Sequence, residues 1–325
     1  MAMDSTWGSD HLARNEVFRT QLKEMLVDPT FAQQWVNWLS DFPDGYNFKI
    51  SSIGELGIDQ REEGVQLPER RVDTGQFIFN IDQHVGNLTA FTDEFMEDDF
   101  LAPQVMTKTP ERMKRALDQY METEILKLQR KQVLNDANII NNASHRLLAS
   151  GAAQELTLQD FAYASFALDK ANVAQSGRIA LVTPEMEFNL NVTQSIVQIA
   201  NNPMWEGIVT TGMGDMSGTR FIRNIYGFDV YVSHFTDASL SAEAALRDYS
   251  GAGTGSTAGD RANLFFSVAD AETSPFVGAW RRNPEVESWR DHGKKTEYHQ
   301  LTARFGLDLY RPESLLTILS SETLV

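Results

Sequence analysis

The sequence of 325 residues contains no cysteine. A chain without cysteine has no disulfide framework, no thiolate nucleophile, and no zinc or iron–sulfur site that uses sulfur ligands. Long apolar runs are absent too, because the longest fall far short of the roughly 18–20 residues that span a bilayer. The N-terminus carries acidic residues and Trp7 where a secretory signal has a basic and then an apolar stretch. These absences predict a soluble intracellular protein without membrane contact.

Basic residues are scarce. The chain has 28 lysines and arginines against 45 acidic residues, a formal net charge of −17. Most of the excess lies in the first 100 residues, which hold 19 acidic and 7 basic side chains. Contact with phosphate groups needs a net positive surface, so nucleic-acid binding through the whole surface is excluded, while contact at one locally basic face stays open.

Sequence motifs for catalysis are missing as well. Neither a phosphate-binding loop of the G-x-x-x-x-G-K-[ST] type nor a G-x-S-x-G nucleophile motif occurs. The glycines of Gly212–Gly218 are misplaced for dinucleotide binding and predict a surface turn. The six histidines are scattered, which is typical of ordinary polar residues. We therefore expect no enzymatic activity, no cofactor and no metal site.

One acidic cluster leaves an alternative open. Its carboxylates could bind a divalent cation, because hard cations prefer oxygen ligands. The cluster lacks the loop glycine of an EF-hand, so a solvated or salt-bridged acidic surface is favoured. Its members are Asp93, Glu94, Glu97, Asp98 and Asp99.

The first 45 residues read as short helical pieces separated by turns. The second piece, Phe31 to Leu39, brings Trp35 and Trp38 close together. One interpretation is a small helical subdomain that packs on its own core. The alternative is an extended arm whose aromatic side chains are buried by another subunit, because a tryptophan left in water is costly.

Residues 46–100 predict a protruding two-stranded arm. Strand-like runs occur at 48–50 and at 75–81, and the second alternates so that Phe77, Phe79 and Ile81 share one face. The segment between them is polar and predicts an exposed tip. A two-stranded hairpin alone is marginally stable in water, so such an arm leans on something else.

Residues 109–142 carry the strongest helical signal. Thr109 is a suitable N-cap and Pro110 suits the first helical position. About 33 residues predict a rod of about 50 Å that lies along one face of a sheet. Glu111 with Arg115, and Glu124 with Lys127, have the spacing of ion pairs. The helix has an excess of basic residues, so contact with phosphate stays open: Lys108, Arg112, Lys114, Arg115, Lys127, Arg130 and Lys131.

The remainder alternates between helix and strand. Thr157 predicts the start of a helix that ends near Ala171, and 178–182 predicts a buried strand with a helix opening at Pro184. A further helix is predicted at 192–201, and a pair of strands around a turn at Tyr226-Gly227. After a glycine-rich loop at 250–259, strands are predicted at 263–268, 295–310 and 315–319. The fold class is α+β with two lobes.

This order of elements resembles the major capsid proteins of tailed bacteriophages, which have the Hong Kong 97-type fold. The run Arg178-Ile-Ala-Leu-Val-Thr-Pro-Glu185 is similar to the strand that enters a helix in the axial domain of that family. The run Ile225-Tyr-Gly-Phe-Asp-Val-Tyr-Val-Ser233 is similar to the strand that follows it. The resemblance covers the chain from about residue 30 to its end.

The resemblance implies a division of the chain. Residues 1–45 would be the N-terminal arm, and 46–100 the extended β-hairpin loop with its link to the peripheral domain. Residues 101–149 would hold the peripheral domain with its long spine helix, 150–262 the axial domain, and 263–325 the return to the peripheral sheet. Lys49 is the one lysine in the loop region and lies near its base, so covalent crosslinking through that loop is not expected.

The resemblance also implies a function. The chain would self-assemble, through hexamers and pentamers, into an icosahedral head shell around packaged double-stranded DNA. A separate scaffolding protein and a portal would be partners, with a decoration protein as an optional third, and DNA contact would be weak and non-specific. The shell would form in the host cytoplasm and reside in the virion. The residues expected at contacts between subunits are Trp35, Trp38, Arg61, Glu62, Glu63, Arg70, Arg71 and Phe77.

Two alternatives remain at this point. The first is the shell subunit of an encapsulin-like nanocompartment, which shares the fold but encloses a cargo enzyme. The second belongs to a different class, a metal-dependent α+β enzyme with its site at Asp93–Asp99.

Overall fold

The computed structural model describes residues 30–40, 47–53, 58–60, 63, 66, 74–98, 102–132, 139–151, 154–192, 221–238, 246–247, 253–254 and 259–321. The helices are α1 (Asp93–Asp98), α2 (Ala102–Lys127), α3 (Leu158–Lys170) and α4 (Pro184–Val192), with 3₁₀ turns at Ala32–Trp35, Leu128–Gln132 and Pro312–Ser314. The strands are β1 (Asn37–Leu39), β2 (Asn47–Ile53), β3 (Thr74–Asn80), β4 (Gln83–Thr92), β5 (Ile139–Ile140), β6 (Ala143–Ser144), β7 (Arg146–Leu148), β8 (Arg178–Val182), β9 (Phe221–Ile225), β10 (Phe228–Val232), β11 (Leu246–Arg247), β12 (Gly253–Thr254), β13 (Arg261–Ser267), β14 (Phe276–Asp291), β15 (Thr296–Leu309) and β16 (Leu315–Ser320). No helix in the described part of the chain is long and apolar enough to cross a membrane.

Two sheets organise the molecule. The smaller has the strand order β1-β14-β15-β4, and the larger has the order β7-β16-β13-β8-β10-β9. The strand predicted at 295–310 is β15, and the face predicted to be apolar is buried as expected. The mixture of helices and β-sheets confirms the predicted α+β class.

The long helix α2 packs its apolar stripe on the four-stranded sheet. Met113, Leu117, Met121 and Ile125 are all buried, in the spacing that the sequence predicts. They share one core with residues of both sheets, for example Leu301 of β15. The helix therefore closes a core that the two sheets have in common.

The predicted bounds of this helix were wrong at both ends. It begins at Ala102 and continues past Pro110, and after Lys127 it tightens into the turn Leu128–Gln132. Thr109 does not cap the helix, because its hydroxyl donates to the carbonyl of Val105, one turn back, at 2.8 Å. The 26 residues span about 39 Å, shorter than the predicted rod.

Several elements after residue 155 follow the predictions. Thr157 caps α3 in a capping box with Asp160, β8 has the predicted bounds, and α4 begins at Pro184 as predicted. The strands flanking Tyr226-Gly227 are β9 and β10. The glycine run Gly212–Gly218 lies outside the described residues, as does most of the helix predicted at 192–201.

The strands after residue 263 divide between the two sheets. Strands β13 and β16 pair in the six-stranded sheet, whereas β14 and β15 lie in the four-stranded sheet. The reason is burial on both faces: all of β16 and all but one residue of β13 are buried, which suits the centre of a covered sheet.

A buried polar network joins the end of α2 to the six-stranded sheet. Arg146 is buried and donates to Oε1 of Gln129 at 2.6 Å, and Nε2 of Gln129 donates to Asp237 at 2.9 Å. Both carboxylate oxygens of Asp237 also accept from Arg130 at 2.5 Å. Buried charges are tolerated when they are paired, and this network pairs them while it links the turn after α2 to β7 of the larger sheet.

Gly306 of β15 supplies a test of how closely the two-stranded arm must approach the sheet. A Cβ atom there would lie 2.5 Å from the carbonyl oxygen of Asn80 and 3.0 Å from Cα of Ile81. Gly306→Ala should therefore lower the free energy of unfolding by about 1–3 kcal/mol in chemical denaturation. Gly293→Ala in an exposed turn is the control and should change it by less than about 0.5 kcal/mol. Equal stability of the two variants would contradict this packing.

Candidate functional site

The two-stranded arm predicted from the sequence is present. Strands β2 and β3 pair antiparallel, from Asn47 opposite Asn80 to Ile53 opposite Thr74. The described residues pair these two strands with each other in a sheet of their own. The arm is held to the body at its root, where Phe79 and Ile81 pack on Val277 and Ala279 of β14.

The apolar face of the arm points toward its own chain. Phe79 is buried, and the ring of Phe77 meets Tyr310 edge-on with 5.3 Å between centroids. Phe77 therefore has an intrachain partner in addition to the neighbour expected for it. The outward side chain is Ile78, which is 49% exposed, and Ile58 near the tip is fully exposed.

The charged tip is described only in part. Glu63 is exposed, in agreement with an exposed loop. The other four residues expected to make inter-subunit ion pairs lie outside the described residues: Arg61, Glu62, Arg70 and Arg71.

The two tryptophans of the first 45 residues pack within the subunit. Trp35 is 6% exposed and packs its ring against Phe266 and Tyr231 at 5.2 and 5.5 Å between centroids. Trp38 stacks on Trp280 at 5.2 Å. Trp35 lies in the core that α2 shares with both sheets, so it has neither the separate helical core nor the neighbouring subunit that the two interpretations assumed.

The helix predicted for Phe31–Leu39 was wrong. A short 3₁₀ turn, Ala32–Trp35, is followed by β1, which pairs parallel with β14 through Asn37, Trp38 and Leu39. The main-chain donors that start the turn are taken by the side chain of Glu122 on α2. A distant carboxyl group thus stabilises a conformation that the local sequence does not specify.

A second exposed surface lies on the four-stranded sheet, opposite α2. Leu301 and Ala303 face the helix, so the alternate residues of β15 face outward. There the rings of Tyr298 and Trp289 stack at 5.4 Å, and Trp289 stays 42% exposed. Leu88 of β4, on the same face, is 55% exposed.

An exposed charge cluster borders this outer face. Arg282 contacts Glu287 at 2.6 Å and Glu285 at 3.3 Å.

Strand β14 was not predicted from the sequence, because ten consecutive residues, 281–290, are exposed and show no alternation of buried and exposed side chains. The available signal was the turn at His292-Gly293 directly before the predicted β15.

An open apolar cleft of about 400 Å³ separates α2 from β4. Its walls come from Met113, Leu117 and Tyr120 of the helix and from Val85 and Leu301 of the sheet. The hydroxyl of Tyr120 donates to Gln83 of β4 at 3.1 Å. Because most of these wall side chains are buried, the exposed apolar side chains named above lie at the two-stranded arm and on the outer face of the sheet.

Asp93 of the acidic cluster is engaged in a salt bridge. Both carboxylate oxygens of Asp93 accept from Arg290 of β14, at 3.0 and 2.8 Å. Asp99 lies outside the described residues. Within the ranges that the structure covers, no group of three or more histidine, aspartate or glutamate side chains is placed to hold a metal ion.

The basic residues of α2 are largely used inside the subunit. Arg115 pairs with Glu111 at 3.6 Å and Lys127 with Glu124 at 2.7 Å, as predicted. Beyond the helix, Lys131 pairs with Asp308 at 2.5 Å, and Arg130 binds Asp237. These pairings reduce the positive surface that α2 can offer to phosphate groups.

One pair of side chains has a partly catalytic geometry. Ser288 Oγ lies 2.7 Å from Nδ1 of His299, across the hairpin of β14 and β15. Glu297 is 3.8 Å from the other ring nitrogen, beyond hydrogen-bond distance. The imidazole is 8% exposed and is covered by the ring of Phe91, so a substrate has no access to it. The pair is a cross-strand contact that stabilises the hairpin.

Solved structures with this fold are subunits of protein shells. The capsid of cyanophage P-SCSP1u matches with a TM-score of 0.66 at 12% identity, over 97% of this chain and 94% of that one. A chain of Mycobacterium phage Che8 matches with a TM-score of 0.61 at 16% identity, over 93% and 96%. The SrpI encapsulin of Synechococcus elongatus PCC 7942 matches with a TM-score of 0.56 at 10% identity, over 93% and 94%. The chain thus has the same fold as these phage and encapsulin chains.

The family is identified by sequence. Residues 76–318, from β3 to β16, match the model of the phage capsid protein family, so the chain belongs to that family. No curated protein matches the chain. It is a phage capsid protein, a structural component and not an enzyme.

Phe79 and Ile78 allow the inner and outer faces of the arm to be tested separately. Phe79→Ala should lower the free energy of unfolding by about 3–5 kcal/mol, because a buried aromatic side chain leaves a cavity. Ile78→Ala, on the exposed face of the same strand, should lower it by less than about 1 kcal/mol. Denaturant unfolding of the full chain measures both. Comparable losses would contradict the assigned orientation of the arm.

Proposed function

We propose that this capsid protein forms, through hexamers and pentamers, the icosahedral head shell that encloses the packaged double-stranded DNA of a tailed phage. The observation that carries the proposal is the packing of the two-stranded arm formed by β2 and β3. Its root is packed into its own subunit, and its outer side presents an exposed apolar side chain, Ile78, to the surroundings. Such an element is stable before assembly and still has surface to bury on a neighbour.

The arm and the outer face of the four-stranded sheet are the proposed contact surfaces. Burying one large aliphatic side chain contributes about 1.5–3 kcal/mol, which is modest for a single contact. Exposed ion pairs such as those proposed for the arm tip add about 0–1 kcal/mol each. Weak contacts become effective when they are repeated around a closed shell, because each added subunit engages several neighbours at once.

The net charge is compatible with a DNA container. A subunit with a formal charge of −17 repels packaged phosphates, so the genome is not held on the wall while it is packed or released. Any contact with DNA is then weak and non-specific. The residence in the virion, assembly in the host cytoplasm, and the scaffolding, portal and decoration partners belong to this proposal by analogy with the family.

The division into N-terminal arm, extended loop, peripheral domain with spine helix, and axial domain is likewise proposed by analogy. In this assignment α2 is the spine helix, and β2 with β3 forms the extended loop. The four-stranded sheet would belong to the peripheral domain and the six-stranded sheet to the axial domain.

A nanocompartment shell is the second candidate, because the encapsulin of Synechococcus elongatus shares the fold. The family match over residues 76–318 favours the phage capsid. The contents of purified particles distinguish the two, since a phage head contains double-stranded DNA and a nanocompartment contains a cargo protein. The metal-dependent enzyme has no such support, because Asp93 is bound by Arg290.

Ile78 offers a direct test of assembly. Ile78→Ser should raise the protein concentration needed for assembly by about tenfold, because one aliphatic contact per subunit is lost. The stability of the dispersed subunit should not change. Light scattering and electron micrographs of the purified chain, with the scaffolding protein supplied, measure the effect.

Ile139→Ser is the matched control for this experiment. Ile139 is 38% exposed and lies in β5, which pairs with β6 and belongs to neither the two-stranded arm nor the four-stranded sheet. Equal assembly by the two variants would overturn the role of the arm. A wild-type chain that stayed monomeric under all conditions would overturn the shell itself.

A further inference from the structure

Glu122 is a buried acid at an unusual place in the fold. It lies toward the C-terminal end of α2 and is 0% exposed. Its Oε2 accepts hydrogen bonds from the main-chain N–H groups of Phe31 and Ala32, at 3.1 and 2.7 Å. Its Oε1 is buried without a hydrogen-bond partner. A glutamate that is fully buried with one oxygen unpaired is costly when it is ionised.

The main-chain N–H groups of Phe31 and Ala32 lie at the start of the N-terminal segment that packs into the core. Phe31 and Ala32 begin the 3₁₀ turn Ala32–Trp35, which leads directly into β1 at the edge of the four-stranded sheet. The same turn makes a second contact with α2, since Nε2 of Gln33 donates to Asp118 at 3.1 Å. The turn is therefore attached to the helix by side-chain acceptors of two acids.

We propose that Glu122 is a protonation-controlled latch, which holds the segment Phe31–Trp35 against α2 when it is neutral and loosens when it ionises. The segment that the latch holds carries Trp35 and continues into β1. Its release would expose apolar surface and free an edge of the sheet.

The surroundings of Glu122 favour the neutral acid. Burial raises the pKa of Glu122 to about 7 from its ordinary value of 4.5, against the effect of the two N–H groups, and nearby Asp118 raises it further. From β10, Tyr231 packs on Phe31 and Trp35, and burial raises the pKa of its phenol, so it stays neutral near pH 7. Phe266 of β13 packs on Trp35 and carries no charge.

The direction of the effect follows from linkage. The docked state has the higher pKa, about 7, and the released state exposes Glu122 to water, where its pKa returns toward 4.5. Docking is therefore strongest below about pH 4.5 and weakens as the pH rises through about 7. Between about pH 6 and about pH 8.5 the docking equilibrium should fall by about tenfold.

Hydrogen exchange of the full chain tests the latch. The amides of Phe31 and Ala32 are the probe, and their protection, corrected for the intrinsic pH dependence of exchange, is followed by mass spectrometry of peptides that cover residues 30–36. In the wild type, protection should fall by about tenfold between about pH 6 and about pH 8.5. In Glu122→Gln, which stays neutral and still offers an acceptor oxygen, protection should not depend on pH.

Glu124→Gln is the matched control. It removes one negative charge from the same helix, two residues away, where Glu124 pairs with Lys127 at the surface. This variant should behave like the wild type. Wild-type protection that is constant with pH, or an equal fall in Glu122→Gln, would overturn the latch.

A second variant keeps the test decisive if Glu122→Gln does not fold. Asp118→Asn removes the acid that raises the pKa of Glu122 and retains an acceptor oxygen for Gln33. The pH at which protection falls should then shift to a lower value. An unchanged midpoint would overturn the proposal.

Discussion

The packing of α2 against both sheets is the constraint on which the rest of the structure depends. The helix places Met113, Leu117, Met121 and Ile125 in one core with residues of the four-stranded and the six-stranded sheet. Each large apolar side chain buried in this way contributes about 1.5–3 kcal/mol. Neither sheet could be displaced from the helix without exposing that core. The two-stranded arm (β2 and β3) and the hairpin of β14 and β15 therefore project from a rigid body.

This rigidity matters for a shell subunit because its contacts are individually weak. If the two-stranded arm were disordered until it met a neighbour, ordering it would cost about 1–2 kcal/mol of free energy per residue, because backbone conformational entropy is lost. The packing of Phe79 and Ile81 on β14 orders the root of the arm in advance. The free energy of contact can then be used for assembly, since little of it is needed to fold the arm.

Many basic side chains of the subunit form ion pairs within their own chain. The subunit is strongly acidic, yet several basic residues bind acids of their own chain, as Lys127 of α2 does with Glu124, Arg130 with Asp237 and Lys131 with Asp308. The same holds in the larger sheet, where buried Arg178 pairs with Asp169 at 2.5 Å. The acidic excess therefore remains at the surface, where salt screens the repulsion between neighbouring subunits. Assembly should consequently be sensitive to ionic strength.

The sequence allowed the local elements to be predicted where their own pattern was sufficient. Strand β8 is an uninterrupted apolar run, β15 alternates regularly, and Thr157 with Asp160 marks the start of α3. The two strands of the arm were predicted for the same reason. In each case the signal lies within the segment itself.

Features that depend on distant partners could not be predicted. The turn at Ala32–Trp35 depends on a carboxyl group 90 residues away, and β14 is defined by its pairing with β15. The placement of β13 and β16 in the larger sheet is likewise a matter of non-local pairing. For the candidate site, the sequence identified the arm but not its orientation, because the inward direction of Phe77 and Phe79 depends on Tyr310 and on the close approach at Gly306.

We propose that the subunit is folded before assembly, and that its two-stranded arm and the outer face of its smaller sheet become buried only in the shell. This can be tested by comparing hydrogen exchange between dispersed subunits and assembled particles. We expect β2, β3 and residues 281–290 to gain protection on assembly, while β8, β13 and the buried face of α2 are equally protected in both states. Arm strands that exchange equally in both states, together with a core that becomes protected only in particles, would contradict it.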